Sequence, residues 1–529
     1  MPTDCISYQH SGYFSTLMND YLDQKANLSS LYNRYPTLEN FEAQIIEKQN
    51  SFDNAARQTL VAVLQEQYIK VESSVLTQQN IAALKNSNTF TVTTGHQLNL
   101  FSGPLYFLYK IISTINLTTQ LKNKYPNSNF VPVYWMATED HDFEEINYFN
   151  FKGKKFRWNK DSSGPVGRLS TDGLDDFLDV YALELGSSTN AETLKKLFKD
   201  SYRDYDNLAD ATRFLANALF GSYGLVVLDA DHTTFKRQFI PFIKEELVHQ
   251  SAHKLVLETA EKLKEYTVQV NPREINLFYI EDNLRERIIF EDGTYRVNHT
   301  KIAFSESEIL LLLEKKPEHF SPNVIMRPLY QEVILPNLCY IGGGGEIAYW
   351  LELKSFFESA KITFPILLLR NSVLLATEKQ AKKADKLNLS WSDLFNKQPI
   401  LINDKTKELS DFSLDLNPLK KQLNQQFQTL YTIANQTDNS FLGALKSQET
   451  KQIKGLENLE KRLLKAQKRK LQDVLERITN LQNELFPNQS LQERQSNFSE
   501  FYLEFGENLI PTLIQQLHPL ANTFDTIVL

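Results

Sequence analysis

The chain has 529 residues, with 57 Lys and Arg against 65 Asp and Glu, a formal charge of −8. Hydrophobic residues make up 42% and charged residues 23%, ordinary proportions that exclude a disordered, collagen-like or disulfide-stapled chain. The acidic balance speaks against nucleic acid as the main partner, because a phosphate backbone needs surplus cations, while a local basic pocket for one small anion is compatible with it.

The length predicts roughly three to four structural units. Cys5 and Cys339 stand far apart, without CxxC or zinc-ligand spacing, so free thiols in a reducing compartment are expected. The segment MPTDCISYQHSGYF lacks the basic and apolar regions of a signal peptide, and no run approaches the ~18 apolar residues of a membrane span. The expectation is a cytoplasmic protein with no membrane partner.

Residues 1–85 read as polar helices. Phe90–Thr94 is a short β-branched and aromatic run stopping at Gly95, a buried strand. LYFLYKIISTINLTTQLKNKY after Pro104 has helical spacing, and Val131–Met136 is a second strand running into an acidic turn. Strand, helix and strand make a βαβ unit and hence a parallel sheet. Tyr223–His232, Leu338–Ile341 and Ile362–Asn371 are further apolar runs, so five strands of an open doubly wound sheet are predicted. The long gaps between them predict two insertions. One covers 150–222 and opens on the basic FKGKKFRWNK. The other covers 233–325 and carries a β-hairpin with its turn at Asp292-Gly293. Core segments are expected at 1–149, 223–232 and 326–390.

Beyond 390 the pattern changes. Leu416, Leu419, Leu423, Phe427, Leu430 and Ala434 have helical spacing, TDNS at 437–440 turns the chain, and Leu464, Leu471, Ile478 and Leu485 repeat every seven. This is a coiled-coil seam. An antiparallel helical hairpin is expected over 391–505, its long helix about 45 residues, with a helix at 506–529 packing back on the core.

Three segments carry candidate chemistry, each at a strand end where doubly wound sheets bind ligands. In the first, Thr94, Gly95, His96, Gln97 and Gly103 form a strand-to-helix turn. Gly95 permits close backbone approach, the helix start favours an anion, and His96 is a hydrogen-bond donor or acid. A plain turn with a satisfied histidine is the competing reading. The second is Glu139, Asp140, His141 and Asp142, followed by Glu144 and Glu145. It suits an ammonium group, Mg²⁺ or proton abstraction, against a helix cap at Asp142. The third is Gly342, Gly343, Gly344, Gly345 and Glu346. Four glycines suit a backbone cradle for phosphate or sugar, although neither a Walker A nor a GxGxxG pattern is present.

TTGHQLNLFSGPLY, VYWMATEDHDFEEIN and CYIGGGGEIAYWLELK together resemble the hallmark blocks of the BshC-type cysteine ligases of bacillithiol synthesis. The resemblance spans essentially the whole chain. It implies an α/β fold with a Rossmann-like doubly wound parallel sheet, two connecting insertions and a C-terminal antiparallel coiled-coil hairpin that mediates homodimers. The core is similar to the nucleotide-binding core of class I aminoacyl-tRNA synthetases. The activity implied is formation of an amide between cysteine and the amine of glucosaminyl-malate. Because carboxylate and amine do not condense usefully in water, activation of the carboxyl by ATP is expected on chemical grounds, with Mg²⁺ as an optional companion. Under that scheme His96, Asp140, His141 and Asp142 are the candidate catalytic residues. Thr94, Gly95, Gln97, Gly103, Glu139, Gly342–Gly345 and Glu346 are the candidate binding residues. Asn371-Ser372 lacks KMSKS-like neighbours, so adenylate and acyl-phosphate activation both stay open. Another ATP-dependent ligase or nucleotidyltransferase, and a non-catalytic coiled-coil scaffold, are the alternatives.

Overall fold

The computed structural model describes residues 3–529. They divide into two compact units. One runs to Leu374 and resumes over Leu491–Ile527; the other covers Leu375–Ser490 and the last two residues.

The first unit is built on a five-stranded sheet of β1 (Thr89–His96), β2 (Asn129–Met136), β3 (Val226–Asp229), β4 (Asn337–Gly342) and β5 (Ile366–Leu369), in the order β5-β4-β1-β2-β3. Every pairing is parallel. Every residue of β1, β4 and β5 is buried; β4 and β5 are largely apolar runs, whereas β1 alternates threonines with Phe90 and Val92 and carries no charge. Phe90, Val92, Phe130, Leu338, Ile341, Ile366 and Leu368 pack with Leu117 and Leu121 of α1 (Tyr106–Lys124) in one core. The expected doubly wound sheet is present, and its strand order reverses between β1 and β4.

The first insertion folds as a hairpin of Tyr148–Phe151 and Lys154–Arg157, followed by helices Leu174–Leu185, Thr189–Tyr202 and Leu208–Phe220. The second is larger than the predicted hairpin. Strands Leu277–Glu281, Leu284–Glu291 and Thr294–Val297 are extended by Ala303–Phe304 and Phe320–Pro322 into a five-stranded antiparallel sheet. Asp292 (φ 49°) and Gly293 (φ 74°) are both left-handed, as the predicted two-residue turn requires.

In the second unit, α3 (Asn417–Ala434) runs antiparallel to α4 (Asn439–Lys470), with Phe427, Ala434 and Leu445 buried between them and Leu423, Tyr431 and Leu442 alongside. Asp438 of the TDNS turn caps α4 by accepting from the Ser440 N–H. Glu460, a weak position in the seam, accepts from the Leu416 N–H at 2.9 Å and the Lys420 ammonium at 2.7 Å. The single 45-residue helix is corrected to two, α4 and α5 (Gln472–Leu485), because Leu471 leaves helical geometry at φ −98°, ψ 14°.

The predicted 390/391 and 505/506 boundaries are also corrected. The chain rejoins the first unit at Leu491, where Leu491, Phe498, Leu509 and Leu513 are buried. The tail is not one helix but Leu509–Gln516 followed by strand Thr523–Val528, which pairs antiparallel with Asp4–Ser7. Among the described residues no helix is long and apolar enough to cross a membrane.

Candidate active site

β1 ends in Gly95-His96, β2 runs out through Ala137–Asp140, and β4 passes into helix α2 (Gly344–Leu351) through Gly342-Gly343. The three ends line one cavity of about 860 Å³. It lies at the carboxyl edge of the sheet where the strand order reverses, the position that doubly wound sheets reserve for ligands.

Lys110 of α1 fastens the first and third ends together. Its Nζ donates to the Gly95 carbonyl at 2.7 Å and lies 2.6 Å from the Glu346 carboxylate. Glu346 also accepts from the Gly343 N–H at 2.8 Å and the Tyr340 hydroxyl at 2.7 Å. Burial opposes charge on Glu346, yet Lys110 and these two donors bring its carboxyl below the usual range. Burial pulls the Lys110 ammonium down, with Glu346 opposing.

His96 is 7% exposed, its ring 5.3 Å from Tyr106 and 5.2 Å from Phe107, and its Nε2 has no hydrogen-bond partner. Burial, then the charges of Lys110 and Arg370, hold its pKa well below 6.5, so the imidazole is neutral. A neutral imidazole is compatible with the hydrogen-bonding role, one of the two expected of it. Glu139 forms an ion pair with Lys236, which also donates to the Phe320 carbonyl at 2.7 Å. Burial nevertheless raises the Glu139 carboxyl pKa. Gln97 donates to Asp140 at 2.9 Å and to Glu145 at 2.7 Å.

Gly95, His96, Gln97, Glu139, Asp140, Gly343, Gly344, Gly345 and Glu346 all line the cavity; Thr94, Gly103, His141, Asp142 and Gly342 do not. Thr94 is buried and donates to the Ile341 carbonyl at 2.8 Å, tying β1 to β4. Gly103 (φ 62°) closes a left-handed run with Phe101 and Ser102, whose carbonyls at Phe101 and Gly103 accept from Asn497. Its role is a turn and not a ligand contact. His141 stands behind the lining, bonded through Nδ1 to the cavity residue Arg285 at 2.7 Å, with its side chain 46% exposed. Asp142 makes no side-chain cap; Asp140 instead accepts the His141 and Asp142 N–H groups. The four glycines are not a free loop. Gly342 ends β4, Gly343 caps α2, Gly344 and Gly345 begin it, and none has positive φ.

Sequence reasoning missed the cations. Lys110, Arg327, Arg370 and Arg494 line the cavity from the core, and Arg273, Arg285 and Arg287 from the second insertion, against only Glu139, Asp140 and Glu346. A chain of net charge −8 thus encloses a cavity with seven cations and three carboxylates. Arg327 donates to the Tyr349 hydroxyl at 3.1 Å and lies 5.6 Å from the Tyr340 ring centroid. Arg285 sits 4.0 Å over Phe278 and donates to Ser321 at 3.1 Å. Arg370, 4% exposed, pairs with Glu493 at 2.7 Å and leaves its Nε without a partner. Some signals were visible: Lys110 within an apolar helix, Arg370 closing an apolar strand, and Arg285 and Arg287 two apart on one strand face.

The donor set suits phosphate. Two buried nitrogens without a hydrogen-bond partner, His96 Nε2 and Arg370 Nε, belong to residues that line a cation-rich cavity at a helix start. Among the described residues no group of three or more His, Cys, Asp and Glu side chains is placed to hold a metal ion. Cys339 is fully buried in the core, and burial pushes its thiol up, away from reactivity.

Comparison with known proteins agrees with this architecture. The family model "Bacillithiol biosynthesis BshC, N-terminal Rossmann-like domain" matches residues 1–371, and "Bacillithiol biosynthesis BshC, C-terminal coiled-coil domain" matches 373–529. A protein of Flavobacterium johnsoniae is 72% identical over 529 residues, all of both chains. One of Christiangramia forsetii is 58% identical, covering 99% of this chain and 98% of its own. One of Staphylococcus carnosus is 28% identical, covering 96% of each. All three carry the name "Putative cysteine ligase BshC". The chain belongs to the bacillithiol biosynthesis BshC family.

Proposed function

We propose that the protein is an ATP-dependent ligase that joins the carboxyl of cysteine to the amine of glucosaminyl-malate, forming the amide of bacillithiol. The observation that carries this reading is the meeting of three strand ends in one cation-rich cavity with orphaned donors beside a helix start.

Carboxylate and amine do not condense usefully in water, and ATP, when bound, supplies the activation. This chain's residues then divide the work. His96, neutral, donates through Nε2, while Arg370 and the N-terminus of α2 add positive potential for phosphate oxygens. Lys110 and Glu346 hold the two turns at a fixed separation. Glu139, whose pKa is raised by burial, takes the proton from the attacking amine in this reading. Asp140, oriented by Gln97, is placed to hold the substrate ammonium before that transfer. Arg273, Arg285 and Arg287 suit the malate carboxylates. Mg²⁺ arrives on the nucleotide. The exposed Leu419, Ile433, Phe441 and Leu459 of the helical hairpin support a homodimer formed through that unit.

The test is purified protein with cysteine, glucosaminyl-malate and ATP, following amide by mass spectrometry and released phosphate species by ³¹P NMR. Bacillithiol with stoichiometric nucleotide turnover is expected. Amide formed only with other amines or acids would favour a different ligase, and neither amide nor turnover would contradict catalysis.

A further inference from the structure

We propose that His96 Nε2, Arg370 Nε and Arg494 form a seat for phosphoryl oxygens around the Tyr106 ring, and that Glu493 is a positioning residue that presents Arg370 to it. This deepens the ATP-dependent reading and rests on it for the identity of the ligand.

Buried polar atoms are nearly always hydrogen-bonded, so two unpartnered nitrogens on residues that line one cavity point to a ligand that reaches them when bound. They belong to neighbours. The His96 ring lies 5.3 Å and the Arg370 guanidinium 5.1 Å from the Tyr106 ring centroid. Arg370 has already committed its other nitrogens. Nη2 donates to Glu493 at 2.7 Å and Nη1 to the Asn371 carbonyl at 2.8 Å. Only Nε remains, and it lies beside Gly343, where a Cβ would come within 3.9 Å of it.

The two-pronged guanidinium fork serves carboxylate and phosphate alike. Single donors brought together from separate residues suit a tetrahedral group with several oxygens, and malate is the competitor against which that is measured.

Glu493 is fixed by more than Arg370. It is 1% exposed, and its other oxygen accepts the Val373 N–H at 3.1 Å. It belongs to the segment that rejoins the first unit after the helical hairpin. The next residue, Arg494, is exposed, lines the same cavity and makes no ion pair among the described residues. The chain therefore completes the seat about 120 residues after Arg370, with an anchor and a free cation delivered side by side.

The experiment is calorimetric titration of pyrophosphate into the full-length protein, with melting temperature recorded for each variant. Arg370→Lys keeps the charge but loses Nε–H, and should weaken pyrophosphate about tenfold. The surface change Arg494→Gln, which carries no folding risk, should weaken it several-fold and flatten its salt dependence. Glu493→Gln should weaken it as well, and Glu493→Asp should recover part of the affinity. A wild type that fails to bind pyrophosphate, or unchanged affinity in Arg370→Lys and Arg494→Gln, overturns the seat. A lower melting temperature in Glu493→Gln with unchanged affinity overturns the positioning role. Malate is the comparison arm: weakening of malate by the same factors would make this a carboxylate site and overturn the phosphoryl assignment. No turnover is needed. A wild type that makes no amide yet binds pyrophosphate through Arg370 loses the ligase reading and keeps the seat; the reverse loses the seat alone.

Discussion

The Lys110 ammonium lies 2.6 Å from the Glu346 carboxylate, and through this pair the turn after β1 is fastened to the turn before α2. Glu346→Gln keeps the shape but turns one acceptor oxygen into a donor and removes the negative charge opposite the buried Lys110. Amide formation should fall at least about tenfold, and stability by about 1–3 kcal/mol. Paired rate and urea-denaturation measurements check this; an unaltered rate would show that the separation of the turns is not used.

Gly95 tests close approach. A Cβ there would sit 3.1 Å from the Tyr340 hydroxyl, which is engaged with Glu346. Gly95→Ala should displace Tyr340 by a few tenths of an ångström, lowering turnover several-fold while the melting temperature moves only a few degrees. A variant as active as wild type would remove Tyr340 and Glu346 from the positioning argument.

Glu352 gives a pH signature. It is buried, with one oxygen accepting the Gln269 N–H at 2.8 Å and the other unpartnered. Burial raises its pKa from 4.5 to about 7. The folded protein therefore binds this proton more tightly than the unfolded chain. The stability it contributes is full below 4.5 and lost as pH rises through about 7. Glu352→Gln should melt higher than wild type at pH 8, with the gap closing towards pH 5. A gap independent of pH would contradict this.

Beneath the sheet, Lys48 and Glu332 pair at 2.9 Å with side chains 2% and 0% exposed. Glu332 also accepts from Asn337 at 2.6 Å and Gln331 at 3.1 Å. Lys48→Met leaves that carboxylate unpaired and should cost about 3–5 kcal/mol, read as a lower urea midpoint. A loss under about 1 kcal/mol would mean that the carboxyl takes up a proton without strain.

The strands were legible because a parallel strand covered on both faces is a short uncharged run of apolar and β-branched residues between turn residues, as in ILLL and FTVTT. The three site segments were legible for a related reason: His96, Glu139-Asp140 and the glycines stand where such runs stop. The cations were not. Arg273, Arg327 and Arg494 look like ordinary surface residues until the fold gathers them, and their meaning lies in burial and neighbours. The return of the chain at Leu491 was hidden because apolar spacing in a helix looks the same whether its partner is another helix or a core. His141 and Asp142 show the limit of adjacency in sequence: they follow Asp140 directly but are not in the cavity lining, and His141 reaches it only through Arg285 and Phe278.

The central claim is that one cavity receives both halves of the amide. It is tested most directly by a crystal structure of the protein soaked with ATP and glucosaminyl-malate. Phosphate oxygens should lie within hydrogen-bond reach of His96 Nε2 and Arg370 Nε, with the sugar amine beside Glu139 and Asp140. Density for both ligands outside the space between Gly95, Glu139 and Gly343 would contradict the account.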